Sequence, residues 1–150
     1  MSPLEAVLAV VGLIAVTTVV GLIWKARTGR VTTPARATSD NVVTPADVGT
    51  DAPFGEKATL LQFSTEFCAY CPATRRVLGA LAERNDGVEH IDIDLTHSPE
   101  LAQRFNVLQT PTTLVLDGSG AVRARIGGAP KRPELEASLA EILLGETRAA

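Results

Sequence analysis

Residues 58–72 read ATLLQFSTEFCAYCP, and this stretch decides the fold. Ala58 to Ser64 is a short, mostly apolar run, as suits a strand buried on both faces. Cys68 and Cys71 come next, and then Val77, Leu78 and Leu81 share one face of a helical stretch reaching to about Arg84. Strand, cysteine pair and helix are thus consecutive. Pro72 fixes where that helix can begin. Inside a helix it would lose the bond to the carbonyl four residues back, here Cys68, and clash with it, whereas the first turn tolerates it. The helix is therefore expected to start close to Cys68.

Working outward, Val88 to Leu95 alternates in part, with Ile91, Ile93 and Leu95 on one side and His90, Asp92 and Asp94 on the other. Ser98-Pro99-Glu100 is a helix start, with an N-cap, a proline at the first position and an acid in the first turn. Leu101 and Phe105 share the face of that helix. Thr112 to Leu116 and Ala121 to Ile126 flank Asp117-Gly118-Ser119-Gly120, which reads as a hairpin turn. Leu135, Leu139, Ile142 and Leu143 fall at helical spacing, and Gly145 suits a stop. The order β-α-β-α-β-β-α makes the first two strands parallel and the last two an antiparallel hairpin. The fold class is α/β, a mixed central sheet flanked by helices on both faces.

The cysteine pair carries the chemistry. Disulfide exchange proceeds through a thiolate, so the attacking cysteine needs stabilisation of negative charge. A helix N-terminus offers unpaired N–H groups and the positive end of the macrodipole. Cys68 is placed to receive that help, and Cys71, about one turn deeper on the same face, to attack a mixed disulfide formed at Cys68. The plainer reading is a pair of buried, inert small hydrophobes. The strand–CxxC–helix context favours redox work.

The chain has 150 residues, which allows one ordinary domain plus a tail or anchor. Ala6 to Trp24 reads AVLAVVGLIAVTTVVGLIW without a charge, and as a helix it spans roughly 30 Å, the thickness of a bilayer core. Trp24 suits an interfacial aromatic, and Lys25, Arg27, Arg30 and Arg36 follow. A buried soluble helix would carry a polar stripe, and only Thr17 and Thr18 interrupt this run. A cleaved signal peptide would place its positive charge ahead of the apolar run. Residues 1–25 are read as a transmembrane anchor in a single-pass cell-membrane protein. The basic residues place the following domain on the cytoplasmic side. Residues 26–57, rich in Thr, Pro, Ala, Gly and Asp, are read as a linker, with Thr44-Pro45 able to open one short helix. Residues 58–150 form the domain.

A net charge of −3 argues against nucleic acid, which needs a basic field. The chain holds only two cysteines and two histidines, too few for a zinc site, so no metal is expected. Asp92 and Asp94 share a strand face, but acid–base catalysis needs a converging pocket that the sequence does not indicate. Arg75 lies four residues from Cys71 and is read mainly as a solvated helix face.

The stretches FSTEFCAYCPATRRVL, VEHIDID, RFNVLQTPTTLVLDGSG and GGAPKRPELEASLAEIL resemble the thioredoxin superfamily over about Ala58 to Leu144. The specific marks are CAYC and Thr110-Pro111. The resemblance implies a cis-proline at Pro111 beside the cysteine pair, with the backbone of Thr110 free to pair with an extended substrate. A cis X–Pro bond costs only about 0.5–1 kcal/mol. A trans proline at a strand edge would leave the same sequence. Phe67, Tyr70, Thr110 and Pro111 are the implied substrate-binding positions.

The sequence also departs from the family's pattern. Phe67 stands for the usual Trp, and Ala69-Tyr70 for the usual Gly-Pro. Tyr70 is similar to what glutaredoxins carry, whereas QTPTTLVLDGSG and the chain length fit thioredoxin-like proteins. Gln62 occupies the place of the family's buried carboxylate, and His90 that of its lysine partner. A different proton path for Cys71 is therefore expected, with His90, Glu66 or water as acceptor.

The function implied is a membrane-tethered thiol–disulfide oxidoreductase. Its partners would be disulfide-containing protein clients and an upstream thiol reductase. No cofactor is expected beyond the redox-active Cys68–Cys71 dithiol, which itself carries two electrons. Two rival readings stand beside it. One is an exported disulfide reductase serving envelope proteins or cytochrome maturation. The other is a peptide-binding or redox-sensing module that uses the Thr110-Pro111 groove without turnover.

Overall fold

The computed structural model describes residues 2–27, 29–32 and 42–149. The elements are α1 (Pro3–Arg27), β1 (Val31–Thr32), a 3₁₀ turn (Pro45–Val48), β2 (Ala58–Ser64), α2 (Cys71–Glu83), β3 (Val88–Asp94), α3 (Pro99–Arg104), β4 (Thr112–Asp117), β5 (Val122–Gly127) and α4 (Arg132–Ala149). The sheet runs β1-β5-β4-β2-β3. β2 pairs parallel with β3 and antiparallel with β4, and β4 pairs antiparallel with β5, so the parallel pair and the hairpin read from the sequence are both present. All seven residues of β2 are buried, as its apolar run requires of a strand with neighbours on both sides.

Alternation along the strands splits the core in two. Leu60, Val115 and Ile126 pack with Leu78 and Leu81 of α2 and Leu135, Leu139 and Ile142 of α4. Leu61, Phe63, Ile91, Ile93, Leu114 and Leu116 form the other layer, against which Leu101, Phe105 and Val107 pack. Phe63 and Phe105 meet at 5.2 Å between ring centroids. Each such side chain contributes about 1.5–3 kcal/mol by leaving water.

The turn at residues 117–120 follows from its side chains. The Asp117 carboxylate accepts from the Ser119 N–H and hydroxyl and from the Ala121 N–H, and Gly120 takes a φ of 82°. At the other end α4 continues through Gly145, where a stop was expected. Gly145 has no positive φ, and glycine within a helix costs only about 1 kcal/mol.

The segment expected to act as a linker is partly laid onto the domain. Val31 and Thr32 add an edge strand opposite Ile126 and Arg125, and Val42 bridges to Ala121. Val43 and Val48 are buried in the second core layer. Thr44 and Asp47 form a capping box around the 3₁₀ turn, as Thr44-Pro45 indicated, and Asp47 pairs with Arg104 of α3. The tether reading therefore fails at 31–32 and from 42 onward. Residues 33–41, including Arg36, and the side chain of Trp24 lie outside the described residues.

α1 is long and apolar enough to cross a membrane over Pro3–Ile23, and none of that stretch is buried against the rest of the chain. A signal sequence near an N-terminus meets the same criterion. Its only interior polar side chains are self-satisfied. The Thr17 hydroxyl donates to the Leu13 carbonyl at 2.9 Å, and that of Thr18 donates to the Ile14 carbonyl at 2.7 Å.

Candidate active site

Cys68 and Cys71 are joined as a disulfide, with their Cα atoms 5.4 Å apart. Cys68 is half-buried, whereas Cys71 is only 2% exposed. α2 starts at Cys71 with Tyr70 as its N-cap, so Cys68 sits in the turn ahead of the helix and not in its first turn. Pro72 gives the reason. It has no N–H to offer the Cys68 carbonyl, and the Cys71 N–H bonds that carbonyl instead, at 3.2 Å. The Cys68 N–H in turn bonds the Thr65 carbonyl at 3.2 Å. The half-buried Cys68 thus stands just in front of the helix N-terminus, with the buried Cys71 inside its first turn.

Pro111 lies on the loop leading into β4. The Thr110–Pro111 peptide is cis, and Pro111 is buried. Its carbonyl accepts from the Gly128 N–H at 2.7 Å. The hydroxyls of Thr65 and Thr110 lie 3.3 Å apart and connect this loop to the turn carrying Cys68. Arg125 steadies the start of the same loop by donating to the carbonyls of Phe105 at 2.9 Å and Asn106 at 2.6 Å. On the two loops that carry Cys68 and Pro111, Phe67, Tyr70 and Leu108 are exposed by 86%, 68% and 87%. Phe67 and Tyr70 adjoin the cysteines in the turn, and Leu108 lies three residues ahead of Pro111.

Beneath the pair, Gln62 is fully buried on β2. Its Nε2 donates to the Cys71 carbonyl at 3.3 Å, and its Oε1 lies 3.2 Å from His90 Nε2. A carbonyl can only accept, so the amide orientation is fixed and His90 must donate from Nε2. Burial holds the His90 imidazole below its ordinary value, with Asp92 pulling up and Arg75 pulling down. His90 therefore reaches Cys71 through Gln62. Glu66 is exposed at the rim, its N–H donating to the Thr96 hydroxyl at 3.0 Å.

Arg75 does not simply face solvent: it pairs with Asp92 Oδ2. Asp94 turns elsewhere. The Thr96 hydroxyl and N–H hydrogen-bond its carboxylate and hold it below the usual carboxylate range, so Asp92 and Asp94 do not act as a pair. Sequence reasoning did not single out Thr65 or Leu108. Neither carries a local signal, since Thr65 matters through a residue 45 positions away and Leu108 is one apolar residue in a loop. Among the described residues, no group of three or more His, Cys, Asp or Glu side chains could hold a metal ion.

The family model described as a thioredoxin-like domain matches residues 51–143. The chain belongs to the thioredoxin-like family. Among its relatives is a thioredoxin of Alicyclobacillus acidocaldarius, 33% identical over 100 residues that cover 63% of this chain and 94% of that protein. A thioredoxin of Mycobacterium tuberculosis is 31% identical over 102 residues, covering 67% of this chain and 87% of the relative. The solved structure of Fasciola hepatica thioredoxin is similar with a TM-score of 0.50 at 22% identity, covering 58% of this chain and 82% of that one. A malaria parasite thioredoxin-2, described as a component of protein secretion machinery, gives a TM-score of 0.53 at 20% identity, with 62% and 88% covered. These two structures share the fold. With its CxxC pair in disulfide form, this thioredoxin-like chain is a disulfide oxidoreductase.

Proposed function

We propose that the protein is a membrane-tethered thiol–disulfide oxidoreductase in which Cys68 attacks client disulfides and Cys71 resolves the product. The difference in burial within the Cys68–Cys71 pair carries this reading, because a client can approach the half-buried Cys68 and not the buried Cys71. The Cys68 thiolate attacks one sulfur of a client disulfide, and the other leaves as a thiolate. Cys71 then gives up its proton and attacks Cys68 Sγ. The Cys68–Cys71 disulfide forms, the second client thiolate departs, and two electrons have moved from protein to client. An upstream thiol reductase returns the pair to the dithiol. The dithiol carries the electrons, and the reading calls for no metal or organic cofactor.

Phe67, Tyr70, Thr110 and Pro111 are the client-binding positions in this reading. The first two offer apolar contact, and the Thr110 backbone offers pairing to an extended strand. α1 anchors the chain in the cell membrane. Lys25 and Arg27 at its end, with Arg30 and Arg36 beyond it in the sequence, support a cytoplasmic domain.

The test is steady-state reduction of a protein disulfide with dithiothreitol as electron donor. The wild type should turn over many times, and Cys68→Ser should abolish the reaction. Stoichiometric chemistry in the wild type would contradict the reading and leave a binding or sensing module.

A further inference from the structure

Cys71 is only 2% exposed, yet as the resolving thiol it must lose a proton before it can attack. Burial disfavours the thiolate, so an acceptor is needed close at hand. His90 is poorly placed for this. Its Nε2 donates to Gln62, and its Nδ1 faces Gly79, where an added Cβ would lie 3.8 Å away, two turns along α2 from Cys71. Glu66 is exposed outside the site.

Three buried side-chain oxygens have no hydrogen-bond partner among the described residues: Thr74 Oγ1, Asp92 Oδ1 and Thr113 Oγ1. Two of them flank one residue. Gln62 is in register with Asp92 of β3 on one side and Thr113 of β4 on the other, so the three form a row across the sheet. The row lies on the face covered by α2, because Leu60, two residues earlier on β2, packs against Leu78 and Leu81. From α2, Arg75 reaches Asp92, and the Cys71 carbonyl meets Gln62. Thr74 is buried three residues after Cys71 and shares its helix face. Buried polar groups in folded proteins are nearly always paired, with ordered water where protein groups fall short. Here two of the unpaired ones flank the Gln62 that meets the Cys71 carbonyl, and the third shares the helix face of Cys71.

We propose that Asp92 Oδ1 accepts the Cys71 proton during resolution, passed through the Thr74 hydroxyl, with solvent bridging where the two do not meet directly. This rests on the assignment of Cys68 as nucleophile and Cys71 as resolver. A threonine hydroxyl both donates and accepts, so it can hand a proton on. Asp92 uses Oδ2 for Arg75, which leaves Oδ1 free, and the Arg75 side chain is 55% exposed, so solvent weakens its hold. In the step, the Cys71 S–H bond breaks, its proton goes to Asp92 and the Cys68–Cys71 bond forms. The client thiolate leaves, and the proton later passes from Asp92 to that thiolate or to bulk water. Of the other titratable groups, His90 on the same strand feels the Asp92 charge, and Asp94, Asp47, Glu100 and Arg104 line a groove along β3 together with Asp92.

Reduced full-length protein mixed with dithiobis(nitrobenzoate) separates the two steps. Attack by Cys68 releases one coloured thiolate, and resolution by Cys71 releases the second. Asp92→Asn should change the first phase by less than about twofold, slow the second by about 10–100-fold at neutral pH, and flatten the acid limb of its pH profile. Asp92→Glu should recover part of the rate. Arg75→Ala breaks the same ion pair but keeps the carboxylate, and it should retain the second phase. Should Asp92→Asn not fold, Thr74→Val carries the test, with the second phase again selectively slowed. An unchanged second phase, equal slowing of both phases, or equal slowing by Arg75→Ala would overturn the proposal. A wild type without a first phase from Cys68 would instead overturn the assignment of the two cysteines.

Discussion

Gln62 donates from Nε2 to the carbonyl of Cys71 at 3.3 Å and meets His90 Nε2 with its Oε1 at 3.2 Å. One neutral, fully buried side chain therefore holds the first residue of α2 against β2 and joins it to β3. Because it is uncharged, it fixes the geometry beneath the disulfide without adding a charge there.

Replacing Gln62 by Leu should destabilise the oxidised protein by about 1–3 kcal/mol, since it leaves the His90 N–H without its partner and strips the Cys71 carbonyl of the bond it accepts besides that of the helix. Urea unfolding measures this. A change within about 0.5 kcal/mol would mean that the amide bridges nothing of consequence.

His90 gives stability a pH dependence of definite sign. Burial holds its folded-state value below the ordinary 6.5, so between the two values the unfolded chain binds more protons. Its contribution is complete above about 6.5 and is lost as pH falls towards the folded value. The urea midpoint of the wild type should therefore drop on acidification from that point, and His90→Gln should remove this part of the slope. Parallel pH curves for the two proteins would contradict the assignment.

Val48 tests whether the segment ahead of β2 belongs to the domain. It is 2% exposed in the second core layer, so Val48→Ala should cost about 1–3 kcal/mol in denaturant unfolding. A free tether would give no measurable change.

Phe67 and Leu108 are 86% and 87% exposed, so their replacement by Ser should leave stability within about 0.5 kcal/mol. If they contact clients, each change should raise KM for a protein disulfide by roughly fivefold, the equivalent of about 1 kcal/mol of lost apolar contact. Unaltered kinetics in the double variant would remove them from the client surface.

The parts of this structure visible in the sequence are those set locally. The apolar run of β2, the alternation of Ile91, Ile93 and Leu95, the Asp117 turn and the CxxC ahead of a helix each carry their own signal. What escaped depends on distant partners. Val31–Thr32 is too short to show a period and becomes a strand only because Ile126 and Arg125 lie opposite. Arg75 and Asp92 lie 17 residues apart and meet because α2 crosses back over the sheet. The helix, expected close to Cys68, starts three residues on at Cys71, whose N–H supplies the bond to the Cys68 carbonyl that Pro72 lacks.

The anchor is tested by fractionation and thiol labelling in intact cells. The protein should stay with membranes after alkaline extraction. A membrane-impermeant maleimide should reach the cysteines only after permeabilisation, without added reductant. Labelling of intact cells would place the domain outside.

The central claim, that Cys68 attacks and Cys71 resolves, is tested most directly by trapping. Cys71→Ser and Cys68→Ser proteins are each reduced, allowed to react with a protein disulfide, quenched with acid and mapped by mass spectrometry. A stable mixed disulfide through Cys68 is expected in the Cys71→Ser protein, and almost none through Cys71 in the Cys68→Ser protein. Equal trapping through Cys71, or none in either variant, would contradict it.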